Sequence, residues 1–235
     1  MCWAWPRCPG CHSATVPGMA TQPAVGGGRV VEVPPERLAR WLRNFAARHG
    51  GTPDTTPVPA GLDLLAADGA RAQARLPFGG SPSTWAELTA LASEPRRTGL
   101  LLARRGGFAA GIAHGPSLLT SKVGRRYVQG RTAAGGWSQQ RFARRRANQA
   151  RRSADAAADA AAQLLVPESA TLDALVLGGD RQVVKAILAD RRLAPLSAKV
   201  AGWFLDMPEP RYSVLRDAAE FARMVRIRVS EPVQD

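Results

Sequence analysis

From Ser138 to about Leu165 the sequence can only comfortably be a helix, and the rest of the chain has to be fitted around that one long element. Ala143, Ala147, Ala150, Ala154, Ala157, Ala161 and Leu165 recur at intervals of three and four, which lays a narrow stripe of small residues along one face. Arg141, Arg144, Arg145, Arg151 and Arg152 take the remaining faces, and Asp155 follows Arg151 by four residues, the spacing of a modest ion pair. Charge along the helix is lopsided. Its first half is wholly cationic, and Asp155 and Asp159 enter only in the second. A helix that needed only solubility would mix its charges.

The surrounding segment extends that bias. Between Glu94 and Asp155 there is no acidic residue, while fourteen Lys and Arg fall in the interval, within a chain of formal net charge +13. Only Lys122, Lys185 and Lys199 are lysines, so biased codon usage accounts for the choice of Arg. It does not account for the placement. A field of one sign attracts a polyanion, and nucleic acid is the partner it fits. Immediately before the helix stands Gly135-Gly136, a turn whose backbone can reach conformations closed to other residues and come close to another molecule. A β-branched, basic run lies upstream of the turn, and Gln139 and Gln140 sit where the turn becomes the helix.

At 235 residues the chain is long enough to bury a sizeable core. Residues 1–28, rich in Pro, Gly, Cys and Thr without periodicity, read as a disordered extension, with Met19 as an alternative start. Residues 29–230 read as a single domain. Within it, Val30–Val33 reads as a strand, and a helix opens at Pro34-Pro35-Glu36 and runs to His49, with Leu38, Trp41, Leu42 and Phe45 facing the core. Residues 52–59 read as a Pro/Thr-rich loop, residues 62–65 and 70–76 as a hairpin turning at Asp68-Gly69, and Ser83 as the cap of a helix running to Ser93. Residues 98–123 predict a three-stranded meander with turns at Gly106-Gly107 and Gly115-Pro116. Leu172–Leu177 predicts a buried strand, Gly178-Gly179-Asp180 a βα turn with a helix cap, 201–205 a further strand, and 212–225 a final helix. The alternation argues for an α/β fold, a mixed sheet with flanking helices.

Several chemistries are excluded. Cys8-Pro9-Gly10-Cys11-His12 formally matches a haem attachment site, and Cys2 lies nearby, but no apolar export segment precedes it and the only other histidines are His49 and His114. His114 falls at a turn with no carboxylate beside it. There is no Ser-His-Asp arrangement, no paired-carboxylate motif and no metal-ligand spacing, so neither a cofactor nor a metal is expected. No apolar run approaches the ~18 residues needed to cross a bilayer, which predicts no membrane partner and a cytoplasmic protein.

The pattern Gly135-Gly136-x-Ser138-x-x-Arg141-Phe142-Ala143-Arg144-x-Arg146 resembles the Gly-Gly-Gln loop and following helix of the archaeal and eukaryotic class-1 peptide-chain release factors. It departs from them in one respect: Trp137 occupies the position of their glutamine. In the related Vms-like release factors the glutamine is displaced to just beyond the Gly-Gly and a Ser, and Ser138-Gln139 is similar to that form, with Trp137 as one extra residue. The context from Lys122 to Arg146 resembles the actinobacterial and chloroflexi branch of that family.

The resemblance implies a ribonuclease-H-like release-factor central domain and a peptidyl-tRNA hydrolase. Its partners are the ribosomal large subunit, through its RNA, and peptidyl-tRNA, in the rescue of stalled chains. Hydrolysis of that ester needs a water held in line, donors for the developing oxyanion, and protonation of the leaving hydroxyl. A glutamine suits the first task, because its carbonyl accepts from water and its NH₂ donates without a charge that is costly to bury. Gln139 is the candidate for that role and Gln140 the alternative. Gly135, Gly136 and Ser138 shape the tip, and backbone amides at the turn and helix start serve the oxyanion. Arg125, Arg126, Arg131, Arg141, Arg144, Arg145 and Arg146 are candidates for phosphate contact, and Trp137 for stacking on a base or anchoring the loop. A non-catalytic ribosome- or RNA-binding module is the competing expectation.

Overall fold

Two periodicities in the chain, two for strands and 3.6 for helices, resolve into two sheets with separate cores. The computed structural model describes residues 21–23, 28–125 and 138–232. In chain order its elements are β1 (Thr21–Pro23), β2 (Arg29–Val33), α1 (Pro35–Arg48), β3 (Asp54–Val58), β4 (Gly61–Leu65), β5 (Arg71–Arg75), α2 (Trp85–Ser93), β6 (Arg97–Arg104), β7 (Gly107–His114) and β8 (Ser117–Arg125). There follow α3 (Ser138–Leu165), β9 (Ala174–Gly179), α4 (Arg181–Leu188), a 3-10 run (Arg191–Lys199), β10 (Val200–Leu205), α5 (Tyr212–Ala222) and β11 (Val225–Ser230). They divide into two compact units, one within Met1–Glu94 and Ala222–Asp235, the other within Pro95–Phe221.

The first unit is a six-stranded sheet in the order β1-β2-β11-β5-β4-β3, antiparallel throughout. Leu38, Leu42 and Phe45 line one face of α1 and are buried against the sheet with Val31, Val33, Ala72 and Ala74. Trp41 is half-buried beside them and stacks on Phe45. The helix stops at its two glycines: the Gly51 amide donates to the Ala46 carbonyl at 2.8 Å. The hairpin turns at Asp68-Gly69, where Asp68 accepts from the Ala70 amide at 3.0 Å.

Four features of this unit differ from expectation. Val225–Ser230 is a strand, and α5 ends at Ala222 rather than running on to 225. Val225, Ile227 and Val229 point inward and the residues between them are half-buried, so the strand sits centrally between β2 and β5. Residues 54–58, within the expected loop, form β3; it pairs only with β4, and Pro57 is tolerated because an edge strand has a side without ladder bonds. Thr21–Pro23, within the expected disordered extension, pairs antiparallel with β2. The cap of α2 is Thr84, whose hydroxyl accepts from the Glu87 amide at 3.2 Å, while the Glu87 carboxylate reaches back to the Ser83 amide at 2.7 Å. Cys2, Cys8, Cys11 and Met19 lie outside the described residues.

The second unit is the mixed α/β sheet that the sequence predicts, in the order β10-β9-β6-β7-β8. β6, β7 and β8 are the antiparallel meander, and β9 and β10 continue parallel to β6. A three-strand meander extended by two parallel strands is the ribonuclease-H-like arrangement. Leu100, Leu101 and Leu102 at its centre are fully buried on both faces, which is why β6 reads as an unbroken apolar run. Leu101, Ala110 and Ile112 face α3 and α4, whose Ala157, Ala161, Leu165, Val184 and Ile187 complete one core. Gly111 faces the other way, where a methyl group would crowd the Leu215 side chain of α5 and the Thr120 carbonyl. Asp180 caps α4 through the Gln182 and Val183 amides at 2.9 and 3.3 Å, as the βα turn requires. The 3-10 run, unforeseen in the sequence, buries Leu193 and Leu196 under α3.

Candidate functional site

The candidate site lies in the sequence between the end of β8 and the start of α3. β8 is the sheet's edge, and Leu119, Lys122 and Val123 along it are exposed. Its last residues are held to β7, with Gly124 opposite Phe108 and Arg125 opposite Gly107. The Phe108 ring lies so close over Gly124 that no side chain fits there, and this locks the strand end from which the chain leaves. Arg125, the final residue of β8, is exposed.

α3 starts at Ser138 and has two unlike halves. Among its described residues Arg144, Asn148, Arg151 and Arg152 are exposed, and burial begins at Ser153. From there Ala157, Ala160, Ala161 and Leu165 sit at 0–1 % exposure, because only small residues allow the helix to lie close on the sheet. At ~1.5 Å per residue, the helix start is roughly 22 Å along its axis from Ser153, the first buried residue among those described.

Polar contacts fix the anchored half from two sides. Lys122 on β8 donates to the Gln163 side-chain carbonyl at 2.8 Å. Asp159 accepts from Arg192 at 2.8 Å, and Arg192 is in turn held by Asp190, which also caps the 3-10 run through the Arg192 amide. Side-chain and then backbone hydrogen bonds from Arg192 hold the Asp190 carboxyl at a pKa of about 2, below its ordinary 3.8, and side-chain hydrogen bonds to Asp190 and then Asp159 raise the Arg192 pKa. The helix's ion pair is thus Asp159 with Arg192 rather than Asp155 with Arg151. Neither Lys122–Gln163 nor Asp159–Arg192 has a sequence signal, since each joins residues that only the fold brings together.

The expected site residues fall as follows. Gln139 and Gln140 lie in the first turn of α3, with Ser138 as its first residue. The first-turn amides of a helix have no internal partner and carry the positive end of its dipole, so this turn favours an anion or a developing oxyanion. Gly135, Gly136, Trp137, Arg126 and Arg131 lie outside the described residues, as do the side chains of Ser138, Gln139, Gln140, Arg141, Arg145 and Arg146. Arg125 and Arg144 are exposed. His114, at the end of β7, is exposed too. Among the described residues no group of three His, Cys, Asp or Glu side chains is placed to hold a metal ion, and no helix is long and apolar enough to cross a membrane.

No curated protein matches the sequence. Among solved structures, the crystal structure of an archaeal translation termination factor, aRF1, aligns at a TM-score of 0.38 and 11% identity, covering 81% of this chain and 73% of that one. The profile of the Actinobacteria/chloroflexi VLRF1 release factor family matches residues 96–228. That span is more than half of the chain and takes in the meander, the connection after β8 and the whole of α3. The chain belongs to the Actinobacteria/chloroflexi VLRF1 release factor family.

Proposed function

We propose that this protein is a peptidyl-tRNA hydrolase that cleaves the ester between a stalled peptide and its tRNA on the ribosomal large subunit, in the cytoplasm. Family membership supports the release-factor role. The observation that carries the finer assignment is the position of Gln139 in the first turn of α3, a helix whose described residues are packed on the sheet from Ser153 onward. A tip placed that way reaches into a partner while the body stays outside it.

Water attacks the ester carbonyl carbon, a C–O bond forms, and the bond to the ribose oxygen breaks, giving a peptide carboxylic acid and a free tRNA hydroxyl. Gln139 orients that water through its side-chain carbonyl, and it cannot itself keep the proton. The proton passes to the leaving ribose oxygen through groups of the tRNA and the ribosomal RNA. First-turn amides of α3 donate to the oxyanion while it exists. Gly135 and Gly136 let the tip come close, Ser138 opens the helix, and Trp137 stacks on an exposed base. Arg125, Arg126, Arg131, Arg141, Arg144, Arg145 and Arg146 supply phosphate contacts that hold the stalk in its RNA surroundings. No metal takes part in this scheme.

The test is release of labelled peptide from isolated large subunits that carry peptidyl-tRNA. The wild-type protein is expected to release it, and Gln139→Ala to lower the rate on the order of 100-fold, the scale of misplacing one reacting group, with subunit binding retained. Unchanged release in both Gln139→Ala and Gln140→Ala would remove the catalytic role from this turn and leave a binding module.

A further inference from the structure

The first unit, which lies outside the family-matched residues apart from the strand that closes its sheet, carries a cleft of its own. Its volume is about 550 Å³, inside the range of roughly 300–1,000 Å³ usual for small-ligand sites. The wall is a single stripe of α1: Arg37, Arg40, Trp41, Asn44 and Arg48 recur at threes and fours and so face the same way. Arg29 of β2 closes the other side, and Val31, Val33 and Val229 form an apolar floor.

Charge and ring chemistry in the cleft point to one kind of occupant. Among the described residues no acidic side chain lines it. Of the nearby acids, Glu32 pairs with Arg226 and Glu36 with Arg223, while Asp68 is held by His49, which lies on the cleft's wall at the end of α1. Arg29 makes only a loose pair with Glu231, at 3.6 Å. Arg37, Arg40 and Arg48 enter no ion pair among the described residues. Trp41 is backed by Phe45 at a centroid distance of 5.5 Å and an interplanar angle of 10°, so its indole is fixed before anything binds. Unpaired guanidiniums beside a fixed indole match a polyanion that also offers flat rings. An acidic peptide or a lipid headgroup would use the arginines and leave the indole without a role.

We infer that this cleft binds single-stranded RNA, with phosphates on Arg37, Arg40 and Arg48 and one unpaired base on Trp41. It is a second RNA contact, independent of the hydrolytic tip. Base stacking on an aromatic tolerates any base, and a shallow basic wall cannot read sequence, so the site is selective for unpaired over paired RNA and not for sequence.

The test uses the full chain and a fluorescein-labelled oligouridine, read by anisotropy across a salt series. Arg37→Gln/Arg40→Gln is expected to weaken binding at low salt and to flatten the log–log salt slope by about 1.4, two single-strand phosphate contacts. Trp41→Leu keeps an apolar side chain against Phe45 and is expected to weaken binding about fivefold or more with the salt slope unchanged. Gln139→Ala is expected to bind as wild type, which separates this site from the catalytic proposal. Photocrosslinking of an oligomer carrying 5-iodouridine is expected to attach it to a peptide containing Trp41. Wild-type binding by both cleft variants would overturn the inference, as would crosslinks confined to residues 126–152. Equal competition by polyglutamate and oligouridine would also overturn it, assigning the cleft to acidic proteins instead.

Discussion

Gln139 can serve the proposed hydrolysis only because it is neutral. A carboxylate at the same position would face the phosphates of its substrate and pull in counter-ions, so Gln139→Glu is expected to lose release as fully as Gln139→Ala. Other single residues hold the frame behind it. Gly179 has φ +98°, and a methyl group there would run into the Ala103 carbonyl on β6, so both conformation and space require glycine. Gly179→Ala is expected to lower stability by about 1–3 kcal/mol, read as a fall in Tm. Asp190 brings a pH dependence. Its folded-state pKa is depressed from 3.8 to about 2, so its stabilising contribution is complete above the unfolded value and fades as pH falls from about 4 toward 2. Thermal melts of the wild type and Asp190→Asn are expected to differ at neutral pH, with the wild type higher, and to converge across that acid window.

At the scale of elements, the described residues of α3 anchor it to the sheet from Ser153 to Leu165. Leu165 is fully buried where the anchor ends, and Leu165→Ala is expected to cost about 2–5 kcal/mol. Substitution in the cationic half acts differently: Arg141→Gln/Arg144→Gln is expected to leave Tm unchanged and to flatten the salt dependence of subunit binding by about 1.4 to 1.8 in log–log slope. The same helix marks the limit of what the sequence makes legible. The later part of its alanine stripe, from Ala154 to Leu165, the meander, the hairpin at Asp68-Gly69 and the cap at Asp180 are local patterns, and each appears in the structure where its residues put it. β11 carries an equally clear alternation, Val225-Arg226-Ile227-Arg228-Val229, but it follows a helix so closely that the helical pattern absorbs its first residue. β3 hides behind Pro57 and two threonines, because an edge strand needs no apolar face. The 3-10 run around Pro195 has no period long enough to read.

Across the whole molecule, one long-range fact lies beyond any local pattern: β11 returns to the first unit, where it pairs with β5 and with β2, as in Val229 opposite Arg29. Two sheets replace the one that element order implies, since a strand's sheet is decided by its partner and not by its neighbours in sequence. The candidate site stands in the sequence as chemistry, the glycine pair, the glutamines and the arginine field, because those are residue types at short spacing. What supports it, the Phe108 ring over Gly124 and the ties from Lys122 and Arg192 to α3, exists only once the chain is folded. The claim on which the functional proposal turns is that the first turn of α3 reaches the ester. The most direct measurement is the structure of this protein bound to a large subunit carrying a non-hydrolysable peptidyl-tRNA. The expected result is the Gln139 carboxamide within about 3 Å of a water in line with the carbonyl carbon; a bound complex with residues 135–140 remote from that carbon would contradict it.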